Sequence, residues 1–271
     1  MRMRPVDSRG VTLLELLVVM MVLSLILTAA VKTWDVTLER GRFETTRRKL
    51  DQLSSAIVGS PDLIVEGKRV DFGYVGDYGD LPVTLNDLVQ DRSGLQPESS
   101  NWRGPYVRST FSESPEGYRT DGWGDTIIYS RESLFVRSYG GRGLSDRSRW
   151  ITREFGYTNV DLTRNEVSGR MLDVRGVPPS ESLLVNHPLR FGVELDYPIG
   201  GKVQTARGAF NTQGEFLFNI VPQGSQTLRL RYIRDYPPYY DTIQTVRTVT
   251  VYPKVGAKGL QIRLDLDWNS Q

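Results

Sequence analysis

The chain has no cysteine and a single histidine, His187, among 271 residues. No disulfide can form, whatever the redox state of the compartment. Thiol nucleophiles, His-based triads and Cys/His zinc sites lose their raw material. Composition leaves a carboxylate-only mechanism open. The chain also lacks a dominant charge, with 34 Lys and Arg against 32 Asp and Glu, a net of +2. Charges are interspersed, so no field for nucleic acid or another polyanion is expected. Long apolar runs are absent as well, apart from one at the N-terminus.

That run extends from Val11 to Val31, directly after Gly10, and carries one charge, Glu15. About 20 residues suffice to span a bilayer as a helix. A carboxylate within such a span costs roughly 2.5–3.5 kcal/mol on insertion scales, so Glu15 is a candidate functional residue by default. Ahead of the run, Arg2, Arg4 and Arg9 outweigh Asp7. The positive-inside rule then keeps the first residues cytoplasmic and sends the remainder across. An ordinary secretory signal would be cut after its apolar core, and Ala29-Ala30 offers that alternative. A plain single-span anchor with an incidental glutamate is the other.

The string Arg9-Gly10-Val11-Thr12-Leu13-Leu14-Glu15 resembles the class III signal of type IV pilins and type II secretion pseudopilins. The resemblance implies that a prepilin peptidase removes a leader, residues 1–10, between Gly10 and Val11 and methylates the new amine at Val11. The apolar segment stays in the mature protein. Glu15 would pair with the Val11 amine of an adjacent subunit once both leave water. Val11 departs from the phenylalanine or methionine more common there, yet it still inserts.

Helical spacing continues past the membrane. Phe43, Leu50, Leu53, Ala56 and Ile57 recur on one stripe. Arg40, Arg42, Glu44, Arg47, Arg48, Lys49 and Asp51 take the other faces. Gly59-Ser60-Pro61 ends the pattern, giving one helix over residues 11–60 with its span at 11–31. Long helix plus small soluble head is the pilin architecture.

Over residues 61–155 come Gly79-Asp80-Leu81-Pro82-Val83-Thr84, Asn101-Trp102-Arg103-Gly104-Pro105-Tyr106-Val107, Asp121-Gly122-Trp123-Gly124-Asp125 and Val136-Arg137-Ser138-Tyr139-Gly140-Gly141-Arg142-Gly143. Their order is similar to the major pseudopilin of type II secretion systems, over roughly residues 9–150. Trp102, Tyr106, Trp123 and Tyr129 suit covering a small sheet while their polar tips stay wet. An aromatic ligand pocket is the sharper alternative. Thr126–Tyr129 and Ser133–Arg137 read as a hairpin. The family's closing loop binds calcium through an aspartate and backbone carbonyls. Here the aspartate position falls on Arg142, a donor where calcium requires an acceptor. Ser138, Arg142 and Asp146 are therefore a degenerate calcium loop, in which Arg142 would replace the ion's charge and pair with Asp146. No cofactor is expected.

After a linker at 156–166 the composition shifts to spaced strand-like runs: 167–173, 189–195, 208–221, 228–233, 246–251 and 260–266. Period-2 alternation in Leu228–Tyr232 and Leu260–Leu266 marks half-buried strands, and the turn spacing predicts a β-sandwich over 167–271. Val167-Ser168-Gly169-Arg170, Asn211-Thr212-Gln213-Gly214 and Val221-Pro222-Gln223-Gly224 resemble a carboxypeptidase-regulatory, transthyretin-like domain. Tyr232–Tyr240 is a candidate contact loop, or a crossover whose aromatics fold onto the sheet.

The expected fold is α+β. Three functions from different classes remain: a filament subunit, foremost a type II secretion pseudopilin; a membrane-anchored binding module presenting the sandwich; and, disfavoured, a tethered enzyme. A type IV pilus or competence minor pilin is the runner-up to the first. Partners would be the peptidase, other pilin-like subunits and an inner-membrane assembly platform. The protein would cross the inner membrane once, with its C-terminal domains periplasmic or in an extracellular filament.

Overall fold

Apolar residues without a helix breaker run into an amphipathic stretch without proline, and the result is one helix, α1, Leu13–Val58. Its 46 residues reach about 70 Å at roughly 1.5 Å per residue. The computed structural model describes residues 13–107, 116–236 and 239–268. Gly10 and Val11 therefore lie outside the described residues, as do Pro237 and Pro238 of the contact stretch. Every described side chain of α1 up to residue 38 is exposed. From Thr46 onward one face is buried, through Leu50, Leu53, Ala56 and Ile57. Two of the sequence-based placements change here. Phe43 stays 42% exposed, whereas Lys49, read as a solvent-facing charge, is 9% exposed.

Gly59 ends α1 in the left-handed region, φ +80°, returning its N–H to the Ser55 carbonyl at 2.8 Å. A Cβ there would sit 2.4 Å from the Asp71 carbonyl oxygen, so only glycine fits. The Arg69 guanidinium donates to the Val58 carbonyl at 2.6 Å, placing a cation at the helix's negative end. Arg69 belongs to a small hairpin, β1 Ile64–Val65 and β2 Lys68–Arg69, which leads into the short helix α2, Gly73–Tyr78.

The head sheet is antiparallel in the order β3 Ile128–Ser130, β4 Phe135–Ser138, β5 Ile151–Glu154. The first two strands form the expected hairpin, and the third was not legible in the sequence. Its core joins Leu50, Leu53 and Ile57 of α1 to Val75, Leu88, Val136 and Ile151. The aromatics do pack there, but their polar tips are not left to water. The Trp102 indole donates to the Asp87 carbonyl (3.1 Å), the Tyr106 hydroxyl to the Asp77 carboxylate (2.9 Å), and the Tyr129 hydroxyl to the Pro82 carbonyl (2.9 Å).

Residues 156–166 hold the helix α3, Asn159–Thr163, and the start of a strand. Thr158 and Asp161 form a capping box on α3. Leu162 is fully buried in the head core. Its carbonyl accepts the Gln223 N–H at 2.9 Å. The segment is thus knit to both neighbours and is not an extended tether.

The C-terminal unit is a two-sheet sandwich. One sheet is antiparallel, ordered β11 Tyr239–Val251, β10 Gly224–Tyr236, β7 Phe191–Ile199, β8 Lys202–Gly208. The other is ordered β12 Ala257–Arg263, β6 Asn165–Leu172, β9 Glu215–Val221, with β12 parallel to β6. Val167, Met171, Leu195, Phe216, Leu228, Leu230, Tyr232 and Val251 fill the space between them. A helix, α4 Glu181–Asn186, precedes β7. Long apolar helix and β-rich C-terminal unit together make the fold α+β.

Head and sandwich meet at α2. Gln223, fully buried, donates its side-chain amide to the carbonyls of Val58 and Phe72, both at 3.0 Å. Gly79 lies so close to β7 that a Cβ would stand 2.0 Å from the Pro198 carbonyl oxygen. The Gly201 N–H reaches the Tyr78 carbonyl at 2.8 Å.

Candidate functional site

Glu15 occupies the first turn of the described helix and is exposed. An acidic group there complements the positive end of the helix. Around it stand exposed apolar side chains, Leu14, Leu16, Leu17, Val18 and Val19. The most apolar eighteen-residue window of α1 has mean hydropathy 2.6, and none of it is buried within the molecule. Length and composition are those of a membrane-crossing helix. The arrangement places a carboxylate on an apolar rod.

The second candidate is the loop of Ser138, Arg142 and Asp146. Ser138 is fully buried, and its hydroxyl donates to Asp121 at 2.5 Å while accepting the Gly140 N–H at 3.0 Å. Asp146 turns to Ser148, accepting its hydroxyl at 2.6 Å and its N–H at 3.1 Å. Those hydrogen bonds, with the fields of Arg149 and Arg142, hold the Asp146 carboxyl below its ordinary range. Arg142 is exposed, and no ion pair joins it to Asp146 among the described residues. The Ser138 hydroxyl and Asp146 Oδ1 are already committed, and a guanidinium stands at the acidic position. Among the described residues no group of three or more His, Asp or Glu side chains is placed to hold a metal. This donor set does not fit calcium.

A cation does serve this region, from a residue that the helical pattern had assigned to solvent. The Lys49 ammonium donates to the carbonyls of Gly117 (2.9 Å) and Thr120 (2.8 Å). Burial pushes its pKa down from the ordinary lysine value, and the nearby Asp121 opposes that. Asp121, itself 4% exposed, accepts the N–H groups of Trp123 and Asp125, both at 2.9 Å, besides the Ser138 hydroxyl. Thr46, one turn before Lys49, accepts the Gly122 N–H at 2.8 Å. A buried network from α1 thereby fixes the 117–125 and 138–140 loops. The lone sequence signal was position: Lys49 sits beside Leu50 and three residues after Thr46, on the buried edge of the stripe.

Residues 7–31 match the prokaryotic N-terminal methylation motif. The match supports a type IV pilin-like, prepilin-type subunit, processed by a prepilin peptidase and assembled with other pilin subunits. Motif and apolar helix are together compatible with a single-pass inner-membrane anchor. They point to a structural subunit of a filament rather than to an enzyme. No curated protein matches the chain. Among solved structures, a Pseudomonas aeruginosa protein described as a candidate carbohydrate binder is similar over 39% of this chain and 90% of its own. The identity is 11% and the TM-score 0.24, a likeness that assigns no ligand.

Proposed function

We propose that this chain is a pseudopilin-type subunit that is cut between Gly10 and Val11, methylated at Val11, and polymerised through α1 to drive protein export. The observation that carries this reading is the coincidence of the methylation motif over residues 7–31 with a helix that, as far as Val31, exposes a mainly apolar surface whose one charge is Glu15. Water would not tolerate that surface; a bilayer, and then a bundle of like helices, covers it. Glu15 sets register by pairing with the Val11 amine of a neighbour. Removing one partner of such a pair leaves the other uncompensated, at about 3–5 kcal/mol per subunit. The soluble units face the periplasm.

The test is assembly of Glu15→Ala and Glu15→Gln chains in cells carrying the peptidase and the assembly platform. Both variants should be processed and membrane-inserted yet recovered as monomers after shearing and cross-linking. Wild-type filament yield from either would remove the role given to Glu15.

A minor or tip subunit is the second reading, and the docked sandwich favours it. Residues 156–166 are folded, and Gln223 ties the sandwich to the end of α1. A rigid body of this width at every step would crowd a homopolymer, whereas a single copy at a tip meets no such limit.

A further inference from the structure

The edge strands β11 of one sheet and β12 of the other lie next to each other. A groove of about 630 Å³ runs between these two edges, lined in part by Thr248, Thr250 and Leu260. Its rim carries Lys68 from the β1–β2 hairpin, Arg247 from β11 and Arg263 from β12. No carboxylate lines it among the described residues. None of the three cations enters an ion pair among the described residues, although thirteen such pairs link other side chains. Beside the groove the hairpin exposes Leu63, Ile64, Val65 and Val70, and β11 exposes Val246.

The β11 edge is unusually open. All thirteen of its residues pair with β10 on one side, and among the described residues no strand pairs on the other. Neither proline nor glycine interrupts Tyr239–Val251, and its described charges are Asp241 and Arg247 alone. Proteins usually blunt such an edge with proline, a bulge or an inward-pointing charge. Here the device is Arg247, which shares the inward side of the strand with buried Val249 and Val251. A charge in that place repels a second copy of the same basic rim and admits a segment of opposite sign. Strand addition draws its affinity from main-chain hydrogen bonds and its selectivity from alternate side chains.

We propose that the β11–β12 edge groove is a docking site for an extended segment of a partner protein that alternates apolar and acidic residues. The segment adds as a strand to β11. Its carboxylates meet Lys68, Arg247 and Arg263, and its apolar side chains cover Leu260 and the β1–β2 hairpin. This goes beyond filament assembly through α1 and stands whether or not that reading holds.

The probe is a fluorescent peptide alternating valine with glutamate over about six residues, an ordinary strand length. It is titrated into the full chain in detergent micelles. Three controls accompany it: a valine–lysine peptide, a backbone N-methylated valine–glutamate peptide, and the chain carrying Lys68→Glu, Arg247→Glu and Arg263→Glu. Saturable binding that weakens with salt, and at least tenfold weaker binding in each control, is the expected result. Amide exchange should slow along residues 245–250 on adding the acidic peptide and stay unchanged in β8, the opposite edge of the same sheet. Absent binding overturns the proposal. So does equal binding of the lysine or N-methylated peptide, or protection confined to β8. All three substituted side chains are exposed, and an unchanged unfolding midpoint of the variant shows that its fold is intact.

Discussion

Replacing Lys49 by methionine keeps the aliphatic stem and deletes the ammonium. The carbonyls of Gly117 and Thr120 then lose a charged donor at 2.9 and 2.8 Å. Asp121, 4% exposed, loses its nearby cation while keeping the Ser138 hydroxyl and two N–H donors. A hydrogen bond to a charged group contributes roughly 1.5–3 kcal/mol, and stripping one partner from a buried pair costs about 3–5 kcal/mol. Part of this is offset, because the ammonium itself was costly to bury, as its lowered pKa records. A net loss of about 3 kcal/mol results. For a unit of this size that lowers the unfolding midpoint by about 6–12 °C. The assay is thermal unfolding in micelles followed by tryptophan fluorescence, since Trp123 lies in the loop that Asp121 holds. Arg48→Met, one residue away and exposed, is the control and should change stability by no more than about 0.5 kcal/mol. Equal small effects from both would refute the buried network as the tie between α1 and the head.

Gln223→Ala removes two hydrogen bonds at the head–sandwich seam, to carbonyls that keep the Arg69 guanidinium and the Gly76 N–H, costing about 1–3 kcal/mol; calorimetry should split one unfolding transition into two, and a single unshifted transition would contradict the seam. Burial pushes the hydroxyls of Tyr74, Tyr106 and Tyr129 above the ordinary tyrosine range. The unfolded chain ionises near pH ~10 while the folded one keeps these protons, so urea midpoints should fall as pH rises past about 10. Lys49, shifted downward, works the opposite way just below that pH, as one group against three. Arg142→Asp should give no calcium-dependent rise in midpoint, because the Ser138 hydroxyl and Asp146 Oδ1 are already committed; a clear rise on adding calcium would show that the guanidinium alone had displaced the ion.

The N-terminal helix was legible because two independent signals coincide there, an apolar run and a lone carboxylate. Its end was legible because Gly59 is required at φ +80°. The head hairpin was legible from two β-rich runs around a short separator, and the sandwich strands with clean alternation from their period of two. Strands whose partners come from elsewhere were not. β5 is four residues with one buried side chain, Ile151, and carries no period of its own. The run read as 208–221 is divided by the Asn211 side chain, which accepts the N–H groups of Gln213 and Glu215 and turns the chain before β9. β8 escaped notice because it is mostly exposed. Leu189 was counted into β7 yet is 90% exposed in a turn after Pro188. The contact stretch proved in part to be the end of the β10–β11 hairpin, with Tyr232 in the core. Of the candidate loop, sequence located the residues but not their partners. The α1 groups that hold the residues either side of Asp121, Lys49 and Thr46, come more than seventy positions earlier, and no local pattern encodes such a contact.

Mass spectrometry of the N-terminal peptide, from filaments or membranes of cells carrying the peptidase, tests the account most directly. A peptide beginning at a methylated Val11 and retaining Glu15 is the predicted result. A chain still carrying residues 1–10, or one beginning beyond Ala29-Ala30, would contradict it, since neither leaves an amine for Glu15 to pair with.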